Sequence, residues 1–339
     1  MNLNTWKGKT FRFLTAQTIS LFGSSLVQYA IVWYITLTTS SGKMLTISTL
    51  CGFLPQILIS LFAGVWIDRY DRKRLIMLSD GVIAFSTLLL ALAFLSGYKN
   101  IWFLFAVLII RSAGTGIQTP AVNAIFPQLV PKEHLMRMNG LNSTLSSFMM
   151  FLSPAAGGAI LSAAPLEAAL FIDVVTAVIG ISITSAIKIP PYAPSDVKEE
   201  SNFHKIAEGI SYIKENPFIK RLLVYQILIL FLISPSAFLT PLMVSRTFGA
   251  QVWRLTMSEM TYSLGMVLGG ILIASWGGFK NHLHTTLLAG SVYGAIMIGL
   301  GTAPVFLVYL LFNTMIGVTS PCYNTPINVT IQEKVAPQM

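Results

Sequence analysis

Charge is scarce in this chain: only 10% of its 339 residues are charged, against 54% hydrophobic, and the mean hydropathy is +0.70. A soluble domain of this length needs far more polar surface, so the composition is that of a chain that crosses a membrane many times. Cysteine is nearly absent. Cys51 and Cys322 both fall in or beside apolar runs, which gives no disulfide framework and no metal-ligand spacing. No P-loop lysine motif and no H-E-x-x-H pair occurs, so the chain is not read as an enzyme, no cofactor is expected, and ATP-driven transport and zinc chemistry are without support. His282 and His284 form a close pair at a turn with no third ligand nearby, and read as a solvated loop.

What the chain has instead is long apolar runs. A helix needs about 20 apolar residues to cross the hydrocarbon core. Ten runs qualify, at 13–37, 45–67, 75–96, 101–121, 140–163, 168–188, 221–245, 258–278, 285–302 and 304–326. They are unbroken and about twice the length of a barrel strand, so the fold class is an all-α membrane protein. The formal charge of +9 would suggest nucleic acid in a soluble protein, but placement explains it. Of the 22 Lys and Arg, 17 lie on the face that holds the N-terminus, four (Lys43, Lys99, Arg246, Arg254) lie opposite, and Arg111 lies within a span. That bias puts the N-terminus in the cytoplasm of a multi-pass protein of the cell membrane, with the lipid bilayer and not nucleic acid as its partner. Lys7, Lys9 and Arg12 precede an apolar run from Phe13 to Leu37 that is too long for a signal peptide and has no clear cleavage site, so it reads as a retained first helix.

Between the second and third spans only a short hairpin remains, Gly64-Val-Trp-Ile-Asp68-Arg69-Tyr70-Asp71-Arg72-Lys73-Arg74, with six charges in seven positions. Charges are costly in the bilayer, so this segment belongs at a surface, and its four Lys/Arg mark that surface as cytoplasmic. Gly64 can let two helices approach closely, and Asp68 can accept hydrogen bonds from arginine or a helix N-terminus. The stretch resembles the G-x-x-x-D-R-x-G-x-[RK]-[RK] motif of the major facilitator superfamily. Gly64, Asp68, Arg69, Lys73 and Arg74 fall on that pattern, and Asp71 replaces its second glycine. A topogenic basic loop is the plainer alternative.

Polar residues inside the spans are the candidate site. Gln17, Ser20, Ser24 and Gln28 form a stripe near one face of the first helix, turned towards protein or a wet cavity. Substrate contact and helix–helix hydrogen bonding are both open readings of it. Span four holds Arg111, Gly114 and Gly116, then Thr119, Pro120 and Asn123. An arginine within a span is a functional hypothesis by default, the alternative being a lock on backbone carbonyls. The arrangement resembles the superfamily's fourth-helix motif, linked in relatives to proton coupling. Asp173 in span six is a candidate partner for Arg111 or an interfacial acid. Asp80 and Glu259 stand nearer span ends, cheaper to hydrate, and rank lower. In span five, Pro154, Gly157 and Gly158 resemble the antiporters' helix-bend signature G-x-x-x-G-P-x-x-G-G, with Met149 and Ser153 replacing its first two glycines. In the second half Tyr225, Gln226, Ser234, Tyr262, Ser263, Asn313, Thr314, Tyr323 and Asn324 are the polar or aromatic positions in spans; Asn123, Asn313 and Asn324 join the stripe as candidate cavity residues.

From Ile189 to Lys220 the chain turns polar, a linker (191–220) between an N-terminal six-helix half (1–190) and a C-terminal half (221–339). Phe203, Ile206, Ile210 and Ile213 repeat there at near-helical spacing, predicting an amphipathic helix. A weak internal repeat relates the halves. With an offset of 206, Gly64 meets Gly270, Arg74 meets Lys280 and Asp68 meets Ala274. With an offset of 201, Gly116, Pro120 and Asn123 meet Gly317, Pro321 and Asn324. Duplicated halves are the familiar transporter plan. The repeat leads to the expectation that the chain holds ten of twelve helices, a C-terminally truncated fragment of a longer protein that acts as a monomer when complete.

The phrases Gly52-Phe53-Leu54-Pro55, Asp68–Lys73 and Thr119–Ala124, with Glu208–Pro217 of the linker, resemble the macrolide-efflux branch of the superfamily. The resemblance implies alternating access by two rocking halves and proton entry driving export of a bulky amphiphilic small molecule. In that scheme Asp68, Arg69 and Arg74 gate, Arg111 and Asp173 compensate charge or couple protons, and the stripe of span one contacts substrate. A siderophore exporter, an uptake permease and a non-transporting scaffold are the alternatives.

Overall fold

The computed structural model describes residues 6–189, 211–279 and 281–334. Ten long helices account for most of them: α1 (Trp6–Thr39), α2 (Gly42–Arg69), α3 (Arg72–Leu95), α4 (Ile101–Leu129), α5 (Leu135–Ala163), α6 (Leu166–Ser185), α7 (Pro217–Thr247), α8 (Val252–Trp276), α9 (His282–Gly301) and α10 (Phe306–Lys334). Each is long and apolar enough to cross a membrane, and no strand occurs among the described residues. Several helices overrun their apolar spans. At 1.5 Å per residue α1 is about 51 Å long, well beyond a hydrocarbon core of about 30 Å.

The helix ends follow from local chemistry. Ser41, Asp71, Asn100, Asn216 and Asn281 each place a side-chain oxygen on the first free backbone N–H groups of α2, α3, α4, α7 and α9. Asn281 caps at Leu283, so His282 and His284 lie in the first turn of α9 and not in the loop the sequence predicts. Gly277 closes α8 with a φ of 74°, a conformation that costs glycine nothing. The predicted amphipathic segment lies largely outside the described residues: Phe203, Ile206 and Ile210 do, while Ile213 sits in a short helical stretch at 211–215.

The helices form two compact units, α1–α6 and α7–α10. In the first, α4 packs between α2 and α3, α6 between α3 and α1, and α1 between α6 and α5. In the second, α10 packs between α9 and α8, and α7 touches α8 lightly. The order α2–α4–α3 therefore returns as α8–α10–α9. The repeat reaches down to single contacts. A Cβ on Gly116 of α4 would stand 2.8 Å from the Gln56 carbonyl oxygen of α2. Gly317 of α10 faces the Tyr262 carbonyl oxygen of α8 in the same way, and a Cβ there would also stand 2.8 Å from Gly265 Cα. Gly116 and Gly317 are related by the offset of 201, Gln56 and Tyr262 by the offset of 206. Small residues at these crossings let the backbones close in, which is how helices gain packing energy in lipid.

Gly64 behaves differently. The sequence suggests a close helix approach there, but a Cβ on Gly64 would meet nothing within 4 Å. The reason is that α2 rests mainly on α4, and only 11% of its apolar window is buried, against 50% for α3. Gly64 lies on the open side.

Within the first unit the buried apolar residues fall into two clusters. One joins Leu26 and Ile31 of α1, Leu90 of α3, Leu104 and Leu108 of α4 and Leu170 of α6. The other joins Phe13 of α1, Ile67 of α2, Ile76 of α3, Ile125 and Phe126 of α4 and Ile187 beyond α6. Gln17, Ser20, Asp80, Thr87, Arg111 and Asp173 occur in the sequence between those two sets, while Thr10, Thr36 and Glu167, also buried, fall outside them. The site is thus a polar layer closed off at both ends.

Because the atoms facing Gly317 belong to backbone, Gly317→Ala must push α8 and α10 apart. The expected cost is about 1–3 kcal/mol, within the range of overpacked cores. Gly294→Ala in α9, where a Cβ meets open space, should stay within about 0.5 kcal/mol of the parent. Thermal unfolding of the two detergent-solubilised variants tests the contrast.

Candidate functional site

At the centre of the polar layer Arg111 of α4 meets Asp173 of α6. The guanidinium Nη1 donates to Asp173 Oδ2 and to Thr87 Oγ1 of α3, and Nη2 donates to the Ser24 carbonyl oxygen of α1 at 3.1 Å. Asp173 is wholly buried and Arg111 is 5% exposed. Ser24 Oγ donates to Asp173 Oδ1 at 3.0 Å. Thr87 Oγ1 lies 3.1 Å from Asp173 Oδ2 and 2.9 Å from the Ile83 carbonyl oxygen, and its single proton serves one of them at a time. The pair is assembled from four helices, and Gly23 makes room for it. A Cβ on Gly23 would stand 3.0 Å from Asp173 Cα, so only glycine lets α1 come close enough to α6 for Ser24 to reach the acid.

Two turns away along α3 a second acid is buried. Asp80 is 4% exposed, and its Oδ1 accepts from Ser20 Oγ of α1 at 3.2 Å and from Gln118 Nε2 of α4 at 2.9 Å. Gln118 Nε2 also reaches Gln17 Oε1 at 3.4 Å. The sequence ranks Asp80 below Asp173 because it stands nearer a helix end, where water is cheap. In the structure α3 is enclosed by α4 and α6, so position along the helix does not set access to water and Asp80 is buried much as Asp173 is. Glu259 of α8, ranked with it, is partly buried.

The stripe on α1 divides accordingly. Ser20 goes to Asp80, Gln17 to the Gln118 amide that also binds Asp80, Ser24 to Asp173, and Gln28 lies apart, its Nε2 beside Gly52 of α2. Thr87, Gln118 and Gly23 were not singled out. Spacing carries a signal for the first two: Asp80 and Thr87 are seven residues apart on α3, and Arg111, Thr115 and Gln118 recur at helical intervals on α4.

At the hairpin, Asp68 is 73% exposed and pairs with Arg72 at 3.8 Å, one turn on. Arg69 and Arg74 are exposed beside it. Arg72 Nη1 donates to the Ala124 carbonyl oxygen of α4 at 2.6 Å. Lys73 Nζ donates to the carbonyl oxygens of Ser185 and Ile187, at 2.7 and 2.9 Å, where α6 ends. A cation is well placed at a helix C-terminus, whose last carbonyls have no partner of their own. Asp71, the departure from the family's second glycine, accepts from Arg74 N at 2.9 Å and caps α3. In the second unit the equivalent position is Gly277, which ends α8 with positive φ. At this position one turn has a capping acid and the other a glycine, with Asn281 supplying the cap of α9 four residues on.

The remaining candidates spread out. Pro154, Gly157 and Gly158 are buried in α5, and a Cβ on Gly157 would stand 3.4 Å from the Leu26 carbonyl oxygen of α1. Asn313 Nδ2 donates to the Ser258 carbonyl oxygen at 2.6 Å and to Thr261 Oγ1 at 3.2 Å, tying α10 to α8. Its counterpart under the offset of 201 is Ser112, whose Oγ accepts from Gln56 N of α2 at 3.0 Å beside Pro55. Asn123 and Asn324, which share the same offset, are both exposed. Among the described residues no set of three His, Cys, Asp or Glu is placed to hold a metal.

Among the described residues, ten apolar helices in two units, with an ion pair sealed inside one of them, are those of a multi-pass membrane protein. The model of the Major Facilitator Superfamily matches residues 13–339, and the chain belongs to that superfamily. It is 30% identical over 340 residues to macrolide efflux protein A of Streptococcus pyogenes, covering 99% of this chain and 84% of that protein. It is 29% identical over 303 residues to macrolide efflux protein A of Enterococcus faecalis, covering 88% of this chain and 93% of that one. In fold it is similar to the crystal structure of a bacterial homolog of the human lysosomal transporter Spinster, inward-facing and unoccupied. The TM-score is 0.73 at 15% identity, over 100% of this chain and 77% of that one.

Removing one member of a buried ion pair leaves the other charge stranded. Asp173→Asn and Arg111→Met should each destabilise by about 3–5 kcal/mol, and the double variant by clearly less than the sum. Thermal unfolding of the four proteins in detergent completes the cycle; strict additivity counts against an energetic link between the two side chains.

Proposed function

We propose that this chain exports macrolide-like or other bulky amphiphilic compounds across the cell membrane in exchange for protons, by alternating access. The observation that carries the reading is the 30% identity to a macrolide efflux protein over 99% of the chain. A match that spans 99% of the chain, and is not confined to the hairpin, favours shared transport chemistry over shared topology alone.

The coupling half of the proposal draws on the polar layer. A carboxylate held by a guanidinium in an apolar interior is stable while both are charged. Protonation of Asp173 would weaken its hold on Arg111 and free a cation that α1 and α3 must then accommodate. Gln17, Ser20, Ser24 and Gln28 would respond to that change, together with any substrate contact made by Asn123, Asn313 or Asn324.

At the hairpin, Asp68, Arg69 and Arg74 act in this scheme as a gate on the cytoplasmic face that stabilises one of the transporter's two orientations. Among the described residues the exposed carboxylate of Asp68 is engaged by Arg72 at 3.8 Å, which leaves room for a further donor. Gly64, with open space around it, lets another helix approach on that face.

Proteoliposomes loaded to one side with a labelled macrolide test the direction and the coupling together. Outward-directed movement of drug with opposite proton movement is expected, whereas accumulation in intact cells would mark an uptake permease and end the export reading. Asp68→Asn should lower drug efflux about tenfold or more, as loss of a conformational step does, while the amount of protein inserted in the membrane stays near the parent level. Unchanged efflux by this variant removes the gating role.

A further inference from the structure

The polar layer of the first unit holds two buried carboxylates and one buried guanidinium. Arg111 is committed: Nη1 serves Asp173 and Thr87, and Nη2 serves the Ser24 carbonyl. Asp80 is left with neutral partners. Both of its protein hydrogen bonds, from Ser20 Oγ and Gln118 Nε2, arrive at Oδ1, and among the described residues none arrives at Oδ2. Beside it the amide Nε2 of Gln17, a residue only 7% exposed, has no hydrogen-bond partner. The cluster is therefore incomplete at the acid's second oxygen and at one amide donor.

The charged groups around it do not complete it. From α6 the group that faces Asp80 is Asp173, an acid, and from α4 it is Arg111, already paired. Asp80 and Thr87 are separated by seven residues of α3, and Gln118 and Arg111 by seven of α4, so the ion pair lies about 10 Å further along both helices. From α1 come only Ser20 and Gln17; Arg12 and Lys9 stand beyond them towards the helix start. On α3 itself Arg74 is six residues earlier, at the exposed hairpin. An ionised Asp80 would thus be a desolvated charge with only a hydroxyl and an amide to offset it.

We infer that Asp80 is a second proton-binding site of the transporter, distinct from the Arg111–Asp173 pair, in which Oδ2 takes up and releases one proton while Ser20 and Gln118 hold the carboxyl in place and Gln17 meets Gln118. The step is a simple protonation: the carboxylate and one proton from water give the neutral acid, and the reverse step returns the proton to water. The amides suit both states, because Gln118 and Gln17 each present an oxygen and an NH2 and can turn over to meet either an acceptor or a donor. Ser20 and Ser24 are one turn apart on α1, the first bound to Asp80 and the second to Asp173, so a single helix senses the charge of both acids. The inference rests on the proton-coupled reading above.

Two measurements on the whole chain test it. Dicyclohexylcarbodiimide modifies protonated carboxyl groups in apolar surroundings. Mass spectrometry of the treated parent protein in liposomes should find the adduct on Asp80, increasing as the pH is lowered, with ion-paired Asp173 spared. An adduct on Asp173 with none on Asp80 overturns the assignment, whether or not any variant folds. In the second measurement erythromycin is the probe, and the ratio of protons moved to drug moved is compared in the parent, Asp80→Asn and Asp80→Glu. The ratio should fall about tenfold or more in Asp80→Asn and recover in part in Asp80→Glu, an effect that a purely structural acid would not produce. An unchanged ratio in monodisperse Asp80→Asn refutes the inference. If the parent moves erythromycin without protons, the coupling reading itself fails, and the carbodiimide result alone then decides whether Asp80 binds a proton.

Discussion

Placing a guanidinium and a carboxylate where water cannot reach them is the constraint that shapes the first unit. Each charge alone would be prohibitively costly there, and together they are tolerable only if most of the remaining donors and acceptors are met; Arg111 Nε has no hydrogen-bond partner among the described residues. That condition draws in four helices. Arg111 comes from α4, Asp173 from α6, Thr87 from α3, and α1 supplies both a hydroxyl and a carbonyl from Ser24. Gly23 is then required on α1, since any side chain there would hold that helix away from the acid. Apolar clusters lie on both sides of the layer along these helices. The packing of α1, α3, α4 and α6 against one another delivers these atoms to one place.

How much of this could be read without coordinates depends on the kind of physics involved. The spans, their number and the all-helical class were legible, because hydrophobic length is a property of consecutive residues. Arg111 and Asp173 stood out one at a time for the same reason: a charge in an apolar run is conspicuous. Their contact with each other was only a candidate, since 62 residues and two intervening turns separate them. Asp80 was undervalued because sequence measures depth along a helix, while exposure depends on what lies beside it. Gly64 shows the complementary limit, with open space where a Cβ would stand. A glycine suits a close crossing, but only a neighbour makes one. Gly23, with no charge or motif to mark it, carried no signal at all.

The repeat shows how a duplicated plan is kept in backbone contacts and changed in side chains. Gly116 against Gln56 and Gly317 against Tyr262 are one contact made twice. Around that shared crossing the chemistry diverges. Ser112 accepts from a backbone N–H beside Pro55, whereas its counterpart Asn313 donates to a backbone carbonyl and a threonine hydroxyl. Arg111 itself aligns with Phe312, and Asp68 with Ala274, so the charged features of the first unit have no charged counterparts at those positions in the second. The geometry of the crossing has been retained where the electrostatics have not.

The basic end of the hairpin has a mechanical consequence. Arg72 grips a carbonyl of α4 and Lys73 grips two carbonyls where α6 ends, while both residues belong to the first turn of α3. The three helices fastened in this way are those that carry Thr87 and Asp80, Arg111 and Gln118, and Asp173. Joined at one end by two short cationic struts, they form a tripod whose legs are not free to slide past one another. A push on the loop between α2 and α3 is therefore delivered as a common tilt of the whole tripod, and α1, which bears the serines but is not strapped to it, is the member against which that tilt is felt.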